Sequence, residues 1–475
     1  MFGEEWRVSK SDNHAIVEDD KELAPLPDSK RKSRPIDQFF VWTGANIAVT
    51  NWALGALPIT LGLSLSDAII MIVLGNLIGG IFFALCTLPG KNTGLTAMVL
   101  TRFSFGKKGA VPITLLQLIN NIVWLGINSY FAVTVVVEIL DQNGIKSSFF
   151  LYVVISLLVF LIQVLVAVYG FKFIKGMDRV IVPLMILMVI LMTYFAFYNF
   201  SEMNIDWRAG QLAGAERFGM MAMIFAAVGI GWPLSWATWA SDYSRHVPRE
   251  RSNRSVFWAS YFGMFVATVW LAIVGAVIAK TMGTGLDPAA MVTNTFPVFV
   301  IPALILIFLG TISTNVLDVE SGGLTLLAMG IRWPKWVAAL VSSVIGFLIC
   351  IFSIYYDAIA QVLHSWMLTL ILWITPWTII TILDLFTFSK EPFLHGIHLS
   401  KNIPEVRWTA LVSWVIGLLA SLLYANTSLF QGPLAKISYG ADFSWALGIG
   451  VTALLYAFSE YMINKQNKAM NIERN

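Results

Sequence analysis

The chain has 475 residues, of which 57% are hydrophobic and 12% charged, and its mean hydropathy is +0.74. Soluble domains carry roughly 25% charged residues, so the composition excludes a water-soluble globule and reads as an all-α integral membrane protein. A formal charge of +3 is too small to point to nucleic acid, and Cys86 and Cys350, far apart in apolar segments, exclude a disulfide framework or cysteine metal site.

Residues 1–36 are charged and lack an apolar stretch of signal-peptide type, so they read as a cytosolic N-terminal tail. A span needs about 20 apolar residues. Such runs recur at 37–62, 67–88, 110–138, 149–169, 179–199, 218–242, 256–279, 294–318, 336–353, 357–385, 408–425 and 442–463, followed by a cytosolic tail over 464–475. Twelve spans put both termini on one side. With that side cytoplasmic, only Lys146, Arg208, Arg217, Lys280 and Lys436 of the 31 Lys and Arg residues fall outside. The other 26 lie within, as the positive-inside rule requires.

Span 1 contains FVWTGANIAVTNWALGALP, with Gly44, Asn46, Thr50, Asn51 and Gly55 inside the apolar run. Span 6 contains AAVGIGWPLSWATWASDY, with Gly229, Gly231 and Pro233 around Trp232. Proline removes a backbone donor and glycine lowers the cost of unwinding. Backbone freed at membrane depth is tolerated only where it lines a cavity. Kinks serving packing alone would explain either break by itself. Breaks at spans 1 and 6, five apart, fit two five-helix repeats and a midplane site of a secondary transporter.

Span 3 carries QLINNIVWLGINSY, which stacks Gln117, Asn121, Trp124 and Asn128 on one helix face. Trp124 offers a flat stacking surface and Asn128 an amide with both donor and acceptor. With Trp232 closing from span 6, they describe a slot for a flat heterocycle, where stacking is worth roughly 1–3 kcal/mol per ring. Bonding between neighbouring helices is the alternative for the amides. Asn121 is a second possible contact, while Gln117 reads as structural.

Span 8 ends in LIFLGTISTNVLDVESGG. Ser313 and Thr314 opposite an unwound span 1 would make an all-oxygen site, suited to a hard monovalent cation. Asp318 is an ionisable group near membrane depth and so a functional candidate for proton coupling. The five histidines show no ligand spacing, and neither a Walker A loop nor a GxSxG elbow is present. An enzyme and a bound cofactor are not expected.

VWTGANI, GKNTGLTAMVLTRFSFGKKG, PITLLQLINNIVWLGINSY, MIFAAVGIGW, SDYSRHVP and LGTISTN together resemble the nucleobase–cation symporter-1 family, the cytosine, purine, allantoin and hydantoin permeases. The resemblance covers nearly the whole chain after the tail, and the segment after span 2 is its most specific part. It implies a LeuT-type fold with inverted repeats over 37–199 and 218–385 and an appended pair of helices over 408–463. It further implies a multi-pass protein of the plasma or inner membrane that functions as a monomer.

The implied activity is import of a nucleobase, cytosine or a purine, with Na+ favoured and H+ as the alternative. An allantoin, hydantoin or uracil permease is the related alternative; a nucleobase-sensing receptor or a channel is the one from another class. The family's cation site falls on the carbonyls of Gly44, Ile47 and Gly310 and the side chains of Ser313 and Thr314. Its stacking tryptophan falls on Trp124, its edge-reading amide on Asn128 and its span 6 aromatic on Trp232, with Gly231 exposing backbone to the ring. Two positions depart from the pattern. The helix 8 asparagine is missing, leaving Asn315 or Asp318 to serve, and Ala48 stands where hydantoin-type members have glutamine. Both count against allantoin and hydantoin.

Overall fold

The computed structural model describes residues 24–473 apart from 170, 297, 332, 389–402 and 429. Among these residues helix is the only extended regular structure; one isolated antiparallel bridge joins Asn426 and Gln431.

The first span is broken. α1 (Pro35–Asn46) and α2 (Val49–Thr60) are separated by Ile47 and Ala48, whose φ/ψ of −80/70° and −133/148° are not helical. The asparagines flanking the break account for it locally. Asn46 Nδ2 donates to the Trp42 carbonyl and Asn51 Nδ2 to the Asn46 carbonyl, so side-chain amides replace backbone donors where the ladder stops.

α3 (Leu65–Thr93) is capped by the Ser64 hydroxyl, which accepts from the Asp67 N–H, and stops at Gly94 with φ 80°. The segment after it, which lies between the apolar runs of spans 2 and 3, contains a helix, α4 (Ala97–Phe105). α5 (Val111–Gln142), α6 (Phe149–Tyr169) and α7 (Phe171–Glu202) complete the first half.

The sixth span is α8 (Gly214–Ile224), a π-helical stretch over Phe225–Gly231, α9 (Trp232–Ser235) and α10 (Ala237–Ser244). It widens and bends where unwinding was expected. Pro233 lacks the N–H that would bond the Gly229 carbonyl, and a π segment, which absorbs an extra residue, accommodates that loss without leaving helical φ/ψ.

α11 (Asn253–Met282), the short α12 (Pro288–Thr295) and α13 (Val300–Ala328) follow, then α14 (Lys335–Tyr355), α15 (Ile359–Leu383) and a π turn over Asp384–Phe388. α16 (Trp408–Leu422), the short α17 (Pro433–Ile437) and α18 (Ser444–Glu473) end the chain. Among the described residues eight helices are long and apolar enough to cross a membrane, and three more carry shorter apolar stretches at Phe149–Leu165, Val300–Asn315 and Trp408–Leu422.

Three boundaries differ from expectation. Span 8 was expected to end at 318, but α13 continues unbroken to Ala328, which puts Asp318 inside a helix. Most of the C-terminal tail expected over 464–475 continues α18 to Glu473. The N-terminal tail expected over 1–36 lies partly outside the described residues, and its described part is strapped down. Leu26 N–H bonds the Gly94 carbonyl, and buried Arg31 donates to the carbonyls of Lys91 and Arg245 at the ends of α3 and α10.

α11 packs along both halves of the broken span, and α13 packs along α5. Contacts of the first kind depend on small residues. A Cβ at Gly55 would overlap the Ala272 backbone, and one at Gly275 would overlap that of Trp52. Close backbone approach of this type supplies the van der Waals attraction that the hydrophobic effect cannot provide in lipid. It fixes the break against a rigid neighbour. Cys86 and Cys350 are both free and buried.

Candidate functional site

Two cavities meet at the break in span 1. One, of about 20 Å³, is lined by Ala48 and Thr50 at the start of α2, Trp124 and Asn128 of α5, Trp232 of α9, and Thr314 and Asp318 of α13, among others. The other, of about 240 Å³, runs along α1 toward Phe40 and Tyr243 and contains Gly44, Ile47, Gly310, Ser313 and Thr314. Thr314 lines both.

The small cavity brings together Trp124, Asn128, Trp232, Ala48 and Asp318 from four separate stretches of sequence. The two indoles do not form parallel walls in this structure. Their centroids are 5.3 Å apart with planes at 82°, so the edge of one ring meets the face of the other. A water needs on the order of 10–15 Å³ of such space, so the slot is shut to a heterocycle.

Its polar groups are ordered. Thr50 Oγ1 donates to Asn128 Oδ1 at 2.8 Å, and the Asp318 carboxyl meets the Asn128 amide. Asp318 is 9% exposed, and its Oδ2 has no hydrogen-bond partner among the described residues. The indole N–H of Trp232 donates to Asn46 Oδ1 at 2.9 Å.

Three residues expected at the slot face elsewhere. Asn121 bonds Gln117 on its own helix and lies 3.4 Å from the Ser321 hydroxyl on α13, which also accepts from the Trp239 indole N–H. Asn315 Nδ2 donates to Ser129 Oγ at 3.1 Å, on another side of α5. The open side of Gly231 packs against Ile371 and Met367 of α15. None of the three lines the slot. Of the two residues that could replace the missing helix 8 asparagine, only Asp318 reaches it.

All five residues expected at the cation site line the larger cavity. The Asn51 N–H bonds the Ala48 carbonyl, bypassing that of Ile47. The Gly310 carbonyl accepts from Thr314 Oγ1 at 3.1 Å, a bond within α13 that leaves the lone pairs of the Thr314 hydroxyl directed elsewhere. Carbonyls and hydroxyls with no carboxylate among them suit a hard monovalent ion. Among the described residues no cluster of three or more His, Cys, Asp or Glu could hold a metal. His14, His395 and His398 lie outside those residues.

Sequence reading noted Asn46, Thr50 and Asn51 only as signs of a break. Their roles as partners of Trp232, Asn128 and the Asn46 carbonyl emerge from the fold. The available signal was three hydrogen-bonding side chains within six residues of an apolar span.

Residues 25–448 match the family model described as a permease for cytosine/purines, uracil, thiamine, allantoin. The chain belongs to this nucleobase–cation symporter-1 family. Among its relatives, the putative purine-cytosine permease YxlA of Bacillus subtilis is 25% identical over 91% of this chain and 93% of its own length. The purine-cytosine permease fcyB of Emericella nidulans is 22% identical over 88% and 83% respectively. The inward-facing structure of Mhp1 superposes with a TM-score of 0.74 at 18% identity, covering 94% of each chain. The closed form of Mhp1, a nucleobase-cation-symport-1 transporter with bromovinylhydantoin bound, gives 0.71 at 19% identity over 94% and 96%. This symporter family shares the Mhp1-type all-helical fold, and its members are multi-pass membrane transporters rather than enzymes.

Proposed function

We propose that this protein imports cytosine or a purine together with a monovalent cation, Na+ in the first place, by alternating access. The observation that carries the reading is the junction at Thr314. The oxygen-lined cavity of Gly44, Ile47, Gly310, Ser313 and Thr314 adjoins the slot holding Trp124, Trp232, Asn128 and Asp318. A cation drawing the broken span toward α13 changes the wall of the slot, so each ligand raises the other's affinity by the same factor.

The larger cavity extends toward Phe40 and Tyr243, on the side of Arg34 and Arg245, while the slot is shut. With the charge asymmetry making that side cytoplasmic, this is an inward-facing form. Opening the slot turns the two indoles from edge contact into facing walls for the base. We take the chain to have twelve spans with both termini inside, and the eight long apolar helices, the three shorter ones and span 1 taken as one broken crossing support this. The inverted repeats are assigned to 37–199 and 218–385, with 408–463 appended. We take the protein to function as a monomer. Asp318 in the slot wall favours a proton as the second choice of coupling ion.

The test is uptake of radiolabelled cytosine, adenine, hypoxanthine, uracil and allantoin into proteoliposomes, with Na+ replaced by choline at fixed pH. Concentrative uptake of cytosine or a purine that collapses in choline is expected. Uptake that follows a proton gradient without Na+ moves the coupling to H+. No accumulation of any base above equilibrium rejects the transporter reading.

A further inference from the structure

Asn46 is completely buried at the last position of α1, and every hydrogen-bonding atom of its side chain is used. Its Nδ2 donates to the Trp42 carbonyl at 2.9 Å, a bond within its own helix. Its Oδ1 leaves the helix. It accepts from the Trp232 indole N–H at 2.9 Å and from the Thr268 hydroxyl of α11 at 3.0 Å. The pairing is selective among the aromatic neighbours, because the indole nitrogens of Trp42 and Trp236, both packed nearby, have no partner among the described residues.

The same residue sits between the carbonyls assigned to the cation, two positions after Gly44 and one before Ile47. Its own carbonyl accepts Asn51 Nδ2 at 2.6 Å across the break, so both sides of the break are held at this one residue. A side chain needed only to close a helix end requires only the Nδ2 bond. The Oδ1 bonds tie the hinge of span 1 to the stacking ring of span 6.

We infer that Asn46 is the positioning residue through which cation binding is transmitted to the base. When a cation draws the Gly44 and Ile47 carbonyls inward, residue 46 turns with them. A buried indole N–H left without an acceptor is costly, so Trp232 follows Oδ1. The cation thereby sets the angle of the indole that the base stacks against. This inference rests on the assignment of the cation to Gly44 and Ile47 and of the base to Trp232.

The experiment is equilibrium binding of tritiated cytosine and adenine to the purified full-length protein in Na+ and in choline. The readout is the factor by which Na+ tightens base binding, a quantity that a purely structural role would not move. Coupling factors are commonly on the order of 5–150-fold. Asn46→Ala is expected to bring the factor to about 1–2 while base binding in choline persists, and Trp232→Phe to bring the same ratio to about 1–2 whatever the loss of stacking does to the affinity in choline. The double variant is expected to show the same factor as either single one, because each already removes the Trp232–Asn46 bond. Trp232→Phe keeps an aromatic ring in place, so the test stands even where Asn46→Ala fails to fold. A factor at the wild-type value in Trp232→Phe overturns the inference. A wild type that binds a base with no Na+ effect instead overturns the cation assignment, and one that binds neither base overturns the slot.

Discussion

The Thr50 hydroxyl donates to Asn128 Oδ1 at 2.8 Å, joining the second half of the broken span to the helix that carries Trp124. The bond decides which end of the amide is spent. Its oxygen is engaged by Thr50, and its nitrogen is left for Asp318 and the edge of a base. Thr50→Val keeps the shape and strands a buried acceptor, at a cost of about 1–2 kcal/mol. Base affinity should fall roughly 5–30-fold at unchanged expression, measured by radioligand saturation. Unchanged affinity would remove Asn128 from the recognition scheme.

Asp318 supplies the next prediction. Its Oδ2 is buried without a partner among the described residues, a state that costs about 1–3 kcal/mol unless a ligand supplies a donor. An exocyclic amino group supplies one; an oxo group does not. The ratio of cytosine to uracil affinity should therefore drop on the order of tenfold in Asp318→Asn, whose amide can donate to an oxo group. A ratio that stays fixed while both affinities fall would make Asp318 a structural residue.

Ser313 and Thr314 are the only side-chain oxygens assigned to the cation. Removing one neutral ligand from an all-oxygen site weakens it without abolishing the fold, because the bond Thr314 loses is a local one to the Gly310 carbonyl of its own helix. Ser313→Ala and Thr314→Ala should each raise the Na+ concentration for half-maximal uptake about tenfold or more, and Ser313→Ala, which does not line the slot, should leave base binding in choline unaltered. An unshifted Na+ curve in both variants would place the coupling ion elsewhere, with Asp318 the first residue to examine by proton-driven uptake.

The limits of sequence reading have a physical origin in these same residues. Periodicity reports the face of a helix but not the neighbour at each depth. Asn121 and Asn128 share a face of α5, yet they are seven residues, about 10 Å, apart along the axis. α13 passes that face, bringing Ser321 to Asn121 and Asp318 to Asn128. Asn315 and Asp318 are three apart, enough rotation to turn Asn315 to Ser129 and Asp318 to the slot. The break in span 1 was legible because Gly44, Asn46 and Asn51 crowd an apolar run. The π stretch in span 6 was not, since Gly229, Gly231 and Pro233 are equally compatible with unwinding. α4 was hidden by the short length of its segment and the glycines on both sides.

The appended helices are held by an ionic hub that no motif announced. Arg407, just before α16, donates to Asp384 Oδ1 at 2.9 Å, Glu460 Oε1 at 3.0 Å, Tyr456 Oη at 3.1 Å and the Phe103 carbonyl at 3.1 Å. Ser104 Oγ donates to the other Asp384 oxygen at 2.8 Å, so α4, the turn after α15, α16 and α18 converge on one guanidinium. Its side chain is 19% exposed and that of Asp384 fully buried. Burial opposes the charge on Arg407, but Asp384, Tyr456 and Glu460 outweigh it and raise its pKa. By linkage the Arg407 contribution is therefore fully present across the neutral range and is lost on the alkaline side only as its raised pKa is passed. Removing one member strands the others without compensation, at about 3–5 kcal/mol. Arg407→Met and Asp384→Asn should lower the thermal midpoint in detergent by several degrees. Lys108→Gln, which breaks an exposed pair with Glu405 worth under ~1 kcal/mol, should leave it nearly unchanged. The hub does not line either cavity, so the folded fraction of each variant should bind base with wild-type affinity. Lost affinity at a preserved midpoint would show that the appended pair acts on the slot rather than only on stability.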